Sequence, residues 1–181
     1  MRLLNRLPGI QQIAPVYAVG VTLLYSWTIY NVIRAFATNW GMFLGMDDIL
    51  GLVAYMLVGN FFESLLWIGI LLGSCFLLPG NFLKDKFILR GSILTLTFLG
   101  SIMVFYLQLS DNLFVDAVLR NINKWVTLFT ISTLVLIAAG EWIKIFGEII
   151  KSLADRFIVF LYLYLPLTLL SILIIILRNL G

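Results

Sequence analysis

The chain has 181 residues, of which 62% are hydrophobic and 12% charged, with a net charge of +3 and a mean hydropathy of +1.07. A soluble domain carries about 25% charged residues, so a water-facing fold is excluded and residues 1–181 are expected to form a single transmembrane domain. Histidine is absent, which removes the usual imidazole zinc site, the axial histidine of haem and the base of a catalytic triad.

The charge distribution also bears on partners. No basic tail or basic–aromatic surface stripe is present, so nucleic acid is not an expected partner. The one cysteine, Cys75, lies within an apolar block and cannot form an internal disulfide.

Crossing a membrane takes about 20 apolar residues, and five stretches meet or approach that length. The first, 13–36, follows Arg2 and Arg6. That beginning resembles a signal peptide, but the run is too long for one and no small-residue cleavage site follows. It is read as a retained span opened by Pro15, a residue tolerated in a first helical turn. Near its end stand Asn31 and Arg34, one helical turn apart.

The second stretch, 49–78, is preceded by Asp47 and Asp48, which suit a helix N-terminus. As one helix its 30 residues would extend about 45 Å, so it must tilt, project or break: the plainer reading is one tilted helix with its first turn in the interface, and the sharper one a re-entrant or discontinuous helix broken at Gly59-Asn60. Glu63 is the only charge in this run. A carboxylate at mid-membrane costs about 2.5–3.5 kcal/mol on insertion scales, so Glu63 is expected to be shielded from lipid and to meet a polar group on another helix, of its own chain or of a neighbour. Asn60 and Glu63, with Arg34 and Asn31 as possible partners, form the candidate ligand or ion pathway. The plainer reading of the same residues is a buried structural pair. Further along, Gly69 and Gly73 make a GxxxG spacing that allows close helix packing.

The third stretch, 87–109, follows the turn signal Pro79-Gly80-Asn81. The fourth, 125–140, ends in Ala138, Ala139 and Gly140, of which Ala139 and Gly140 are packing candidates. It is then expected to continue as an amphipathic helix. Glu141, Lys144, Glu148, Lys151 and Asp155 recur at spacings of 3, 4, 3 and 4, which places them on one helical face. That face reads either as a solvated surface, with Lys144–Glu148 and Lys151–Asp155 paired, or as a cytoplasmic docking face. The fifth stretch, 157–177, contains Pro166.

With the N-terminus in the cytoplasm, eight basic residues lie inside (Arg2, Arg6, Lys84, Lys86, Arg90, Lys144, Lys151, Arg156) and four outside (Arg34, Arg120, Lys124, Arg178). The positive-inside rule favours that orientation. Trp40, Trp125 and Trp142 then fall at span ends, as in an aromatic belt.

No nucleophile elbow, Walker loop, CxxC or acidic metal cluster is present. The expectation is an all-α bundle of about five transmembrane helices, multi-pass in a bacterial inner membrane or an organellar membrane. Its expected role is non-catalytic: it contacts the lipid bilayer and packs against other membrane-protein subunits. The alternative is an oligomeric ion or proton pore, or a transporter subunit, built on Asn60 and Glu63. The residues point to no metal and to no particular cofactor.

Overall fold

A computed structural model describes residues 7–37, 45–78, 82–111 and 121–180. They form α1 (Ile10–Ala37), α2 (Met46–Leu77), α3 (Phe87–Asp111), α4 (Ile122–Trp142) and α5 (Lys144–Leu180). All five contain a stretch long and apolar enough to cross a membrane. The chain is an all-α, multi-pass helical bundle. Arg2, Arg6, Trp40, Arg120 and the Pro79-Gly80-Asn81 turn lie outside the described residues.

Lipid tails are as apolar as leucine, so helices in a bilayer are held together by close packing and polar ties. α1 has both, and it occupies the centre against α2, α3 and α5. Val16, Ala18 and Val19 are almost wholly buried. A Cβ on Gly20 would meet Thr95 Cγ2 at 3.4 Å and Trp67 Cδ1 at 3.5 Å, so a larger side chain there would push α3 and α2 away. α4 is peripheral and touches α3 and α5.

Two expectations are corrected in detail, and a third is decided between its alternatives. α1 begins at Ile10, where the Gly9 carbonyl accepts from the amides of Gln12 and Ile13, so Pro15 lies in the second turn and not the first. Of the two readings of the second stretch the structure has the single long helix: α2 runs unbroken through Gly59-Asn60, and at about 1.5 Å per residue its length exceeds the hydrocarbon core.

The second correction concerns the amphipathic extension of span four. α4 stops at Trp142, Ile143 turns to φ −97°, ψ 95°, and α5 starts at Lys144. Glu141 therefore belongs to one helix and Lys144, Glu148, Lys151 and Asp155 to the next. The corner closes because Gly147 lacks a side chain: a Cβ there would lie 2.5 Å from the Gly140 carbonyl oxygen. α5 then continues for 37 residues, about 55 Å, so its charged first turns extend past a core of about 30 Å.

Candidate functional site

Polar side chains tie the middle of the bundle together. Asn60 is buried and donates from Nδ2 to Thr28 Oγ1 at 2.7 Å and to the Leu24 carbonyl at 3.4 Å. One turn on, Ser64 Oγ lies 3.1 Å from the Tyr17 hydroxyl, and Trp67 Nε1 donates to Thr95 Oγ1 at 3.0 Å. Tyr25 joins α1 to α2 and α5. Its hydroxyl shares a hydrogen bond with Thr168 Oγ1 and reaches the Leu57 carbonyl at 3.3 Å. Its ring lies 4.4 Å from that of Tyr164.

Glu63 is not part of this network. The buried stripe of α2 runs Asn60, Ser64, Trp67, Leu71, Cys75. Glu63 lies three residues from Asn60 and is rotated off that stripe, since a helix turns about 100° per residue. It is exposed beside Phe62 and Leu66, which are 64% and 66% exposed. Among the described residues it has no hydrogen bond or ion pair. Of the two sources expected for its polar contact, its own chain and a neighbour, the described residues of its own chain supply none. The reason is that Asn60 and Ser64 fix the stripe on one side of Asn60, whereas a step of three from Asn60 turns Glu63 to the other side.

The expected partners are engaged elsewhere. Asn31 donates to the Trp27 carbonyl of its own helix at 3.0 Å. Arg34 is in the last turn of α1, well away from the depth at which Glu63 follows Asn60. Gly69 and Gly73 face open space, as does Gly59: nothing lies within 4 Å of a Cβ built on any of them. Gly140 packs inside the chain, where its Cβ would meet Leu89 Cδ1 at 3.2 Å and Ile93 Cδ1 at 3.3 Å. Ala139 beside it is half-buried. Lys144, Glu148, Lys151 and Asp155 are all exposed, and no ion pair joins Lys144 to Glu148 or Lys151 to Asp155.

The structure adds a polar junction from residues that the sequence places apart, Lys86 and Arg90 in the basic count and Glu141 on the docking face. Arg90 donates from Nε to Glu141 Oε1 at 2.6 Å, its guanidinium lies 4.0 Å from the Phe82 ring centroid, and Lys86 Nζ stands 3.7 Å from Glu141 Oε2. Arg90 is largely buried, with its side chain 11% exposed. The signal was a lone cation inside the third apolar stretch with a lone acid just past the fourth. At the other end, Arg178 Nη2 and Asp48 Oδ1 pair at 2.7 Å, and Asn179 Nδ2 donates to the Tyr55 hydroxyl at 3.1 Å. Among the described residues no three His, Cys, Asp or Glu side chains converge on a common point.

Comparison with protein-family models, with curated proteins and with solved structures found no match to this chain.

Proposed function

We propose that this chain is a non-catalytic integral membrane subunit whose outer α2 face is covered by a helix of another subunit. One observation carries the reading: Glu63 is exposed on an apolar surface at mid-span, with no polar partner among the described residues of its own chain. Left against lipid, that carboxyl would bear its full insertion penalty of about 2.5–3.5 kcal/mol. A neighbouring helix with a hydrogen-bond donor or a cation at that depth removes it. Gly59, Gly69 and Gly73 leave room on α2 for another backbone to approach. The exposed Lys144–Asp155 turns of α5 offer a second contact surface on the cytoplasmic side, given an N-inside orientation in a bacterial inner membrane or an organellar membrane.

The test is the mass of the assembly extracted in a mild detergent. Wild type should exceed the mass of one chain and retain its partner. Glu63→Gln keeps a hydrogen-bonding side chain and should preserve the assembly. Glu63→Leu leaves the partner's polar group unsatisfied and should release it. A wild-type chain that extracts alone, or an assembly indifferent to Glu63→Leu, overturns the reading. For the orientation, labelling of a cysteine at Asn81 in a Cys75-free background should occur only from the cytoplasmic side.

The same exposure supports a second reading, an oligomeric ion or proton pathway. Asn60 is committed to α1, so such a path would run between protomers along Glu63. Glu63→Gln would then leave assembly intact and abolish flux into liposomes.

A further inference from the structure

The face of α2 that carries Glu63 has a register of its own. Met56, Gly59, Glu63, Leu66, Ile70 and Gly73 recur at spacings of 3, 4, 3, 4 and 3. None of the six is buried, and Leu66 and Ile70 are 66% and 52% exposed. Alternation of three and four, about 3.5 residues on average, is the spacing of a seam between two helices that wrap left-handed around each other. Gly59, Leu66 and Gly73 share one position of that repeat, and Met56, Glu63 and Ile70 share the other. Nothing lies within 4 Å of a Cβ built on Gly59 or Gly73, so on both sides of Glu63 the seam admits a second backbone at close range.

Whatever covers the seam must meet Glu63 at its own depth. Copies of one chain insert with the same orientation, so two α2 helices meeting face to face run parallel. A two-fold axis along the membrane normal then sets every seam residue opposite itself, and Glu63 meets Glu63 at any depth. A carboxylic acid both donates and accepts. Two carboxyls in contact keep a proton between them, because like charges that close cannot both ionise, and each then satisfies the other. A foreign helix would need a donor at one particular level, whereas a second copy carries its matching group there by symmetry. A single polar residue on an apolar seam also fixes register and chain number.

We propose that this seam is the contact between two copies of the chain, paired through α2 about a two-fold axis beside Glu63, with the two carboxyls hydrogen-bonded to each other. The proposal names the partner in the reading above and rests on it.

The test is disulfide formation between single cysteines in the full chain, in native membranes and a Cys75→Ala background. Leu66→Cys and Ile70→Cys should each oxidise to a product of twice the chain mass, since each position faces its own copy. Leu65→Cys, at an exposed position outside the seam, should give several-fold less. Glu63→Gln also donates and accepts and should keep the Leu66→Cys product. Glu63→Leu leaves nothing to shield from lipid and should lose most of it. Copies carrying Glu63→Lys should not cross-link to one another, yet should cross-link to differently tagged copies that keep Glu63, which also shows that the variant is folded. Equal products from Leu65→Cys and Leu66→Cys overturn the seam, and cross-linking indifferent to Glu63→Leu overturns the pairing of the carboxyls. An extracted assembly heavier than one chain that gives no Leu66→Cys product overturns the second copy and leaves a different subunit on this face. A chain that extracts alone and gives no product overturns both readings.

Discussion

α1 and α4 are both apolar helices long enough to cross a membrane, yet 44% of the apolar window of α1 is buried inside the protein and only 6% of that of α4. Hydropathy does not separate them, because it reports transfer into lipid and not attraction between helices. Small residues and shared polar groups do separate them. α1 presents Ala18 and Gly20 to its neighbours and sends Tyr17 and Tyr25 to polar groups on α2 and α5. α4 carries Thr127, Thr130, Ser132 and Thr133, and each hydroxyl bonds the carbonyl four residues back in the same helix. Only its C-terminal end, at Ile137 and Gly140, is buried.

The largest expected effect comes from breaking the close packing of α1. Gly20→Ile places three further carbons where a Cβ already touches Thr95 and Trp67, and should cost about 1–3 kcal/mol as overpacking. The matched change on α4, Ala138→Ile, enters an exposed position and should stay within about 0.5 kcal/mol of wild type. Reversible unfolding of the two variants in mixed micelles measures both. Equal costs would erase the distinction between the helices.

A smaller effect tests the polar ties. Tyr25→Phe keeps the ring against Tyr164 and removes the hydroxyl that meets Thr168 and Leu57. Interhelical hydrogen bonds in membrane proteins are worth about 0.6 kcal/mol on average and about 1.7 at most, so the loss should fall in that range in the same unfolding measurement. Thr130→Val on α4 removes a hydroxyl that bonds only its own helix and should change stability less than Tyr25→Phe does.

The same physics explains what could be read beforehand. Five apolar stretches divided by charge and turn residues are a one-dimensional signal, and all five helices follow it. The placement of Glu63 is a rotational matter. Its neighbour Asn60 does face α1, but the buried stripe advances by four from Asn60 to Ser64 and leaves residue 63 on the flank. The corner at Ile143 left no proline or glycine at the break itself. Its cause is the distant contact of Gly140 with Gly147, a spacing of seven that reads as an ordinary helical repeat. Arg90 and Glu141 are 51 residues apart, so their pairing depends on α3 and α4 packing side by side, which composition cannot give.

The smallest effect in the isolated chain is the most telling about the assembly. Leu134 is 62% exposed on α4. Leu134→Ala in the purified chain should alter stability by no more than about 0.5 kcal/mol, since lipid replaces the lost contacts. In the native membrane the outcome depends on what α4 faces. Against lipid the variant should extract with the same mass and partners as wild type. Against a subunit, truncation of a covered leucine can cost more than about 1 kcal/mol of binding, and the extracted assembly should dissociate at lower detergent concentration. Loss of assembly stability with an unchanged isolated chain would mean that α4 is a contact helix left unburied because its neighbours belong to another chain. No change in either measurement would leave α4 as a lipid-facing wall, and the partner surface would then be confined to the Glu63 face of α2 and the charged turns of α5.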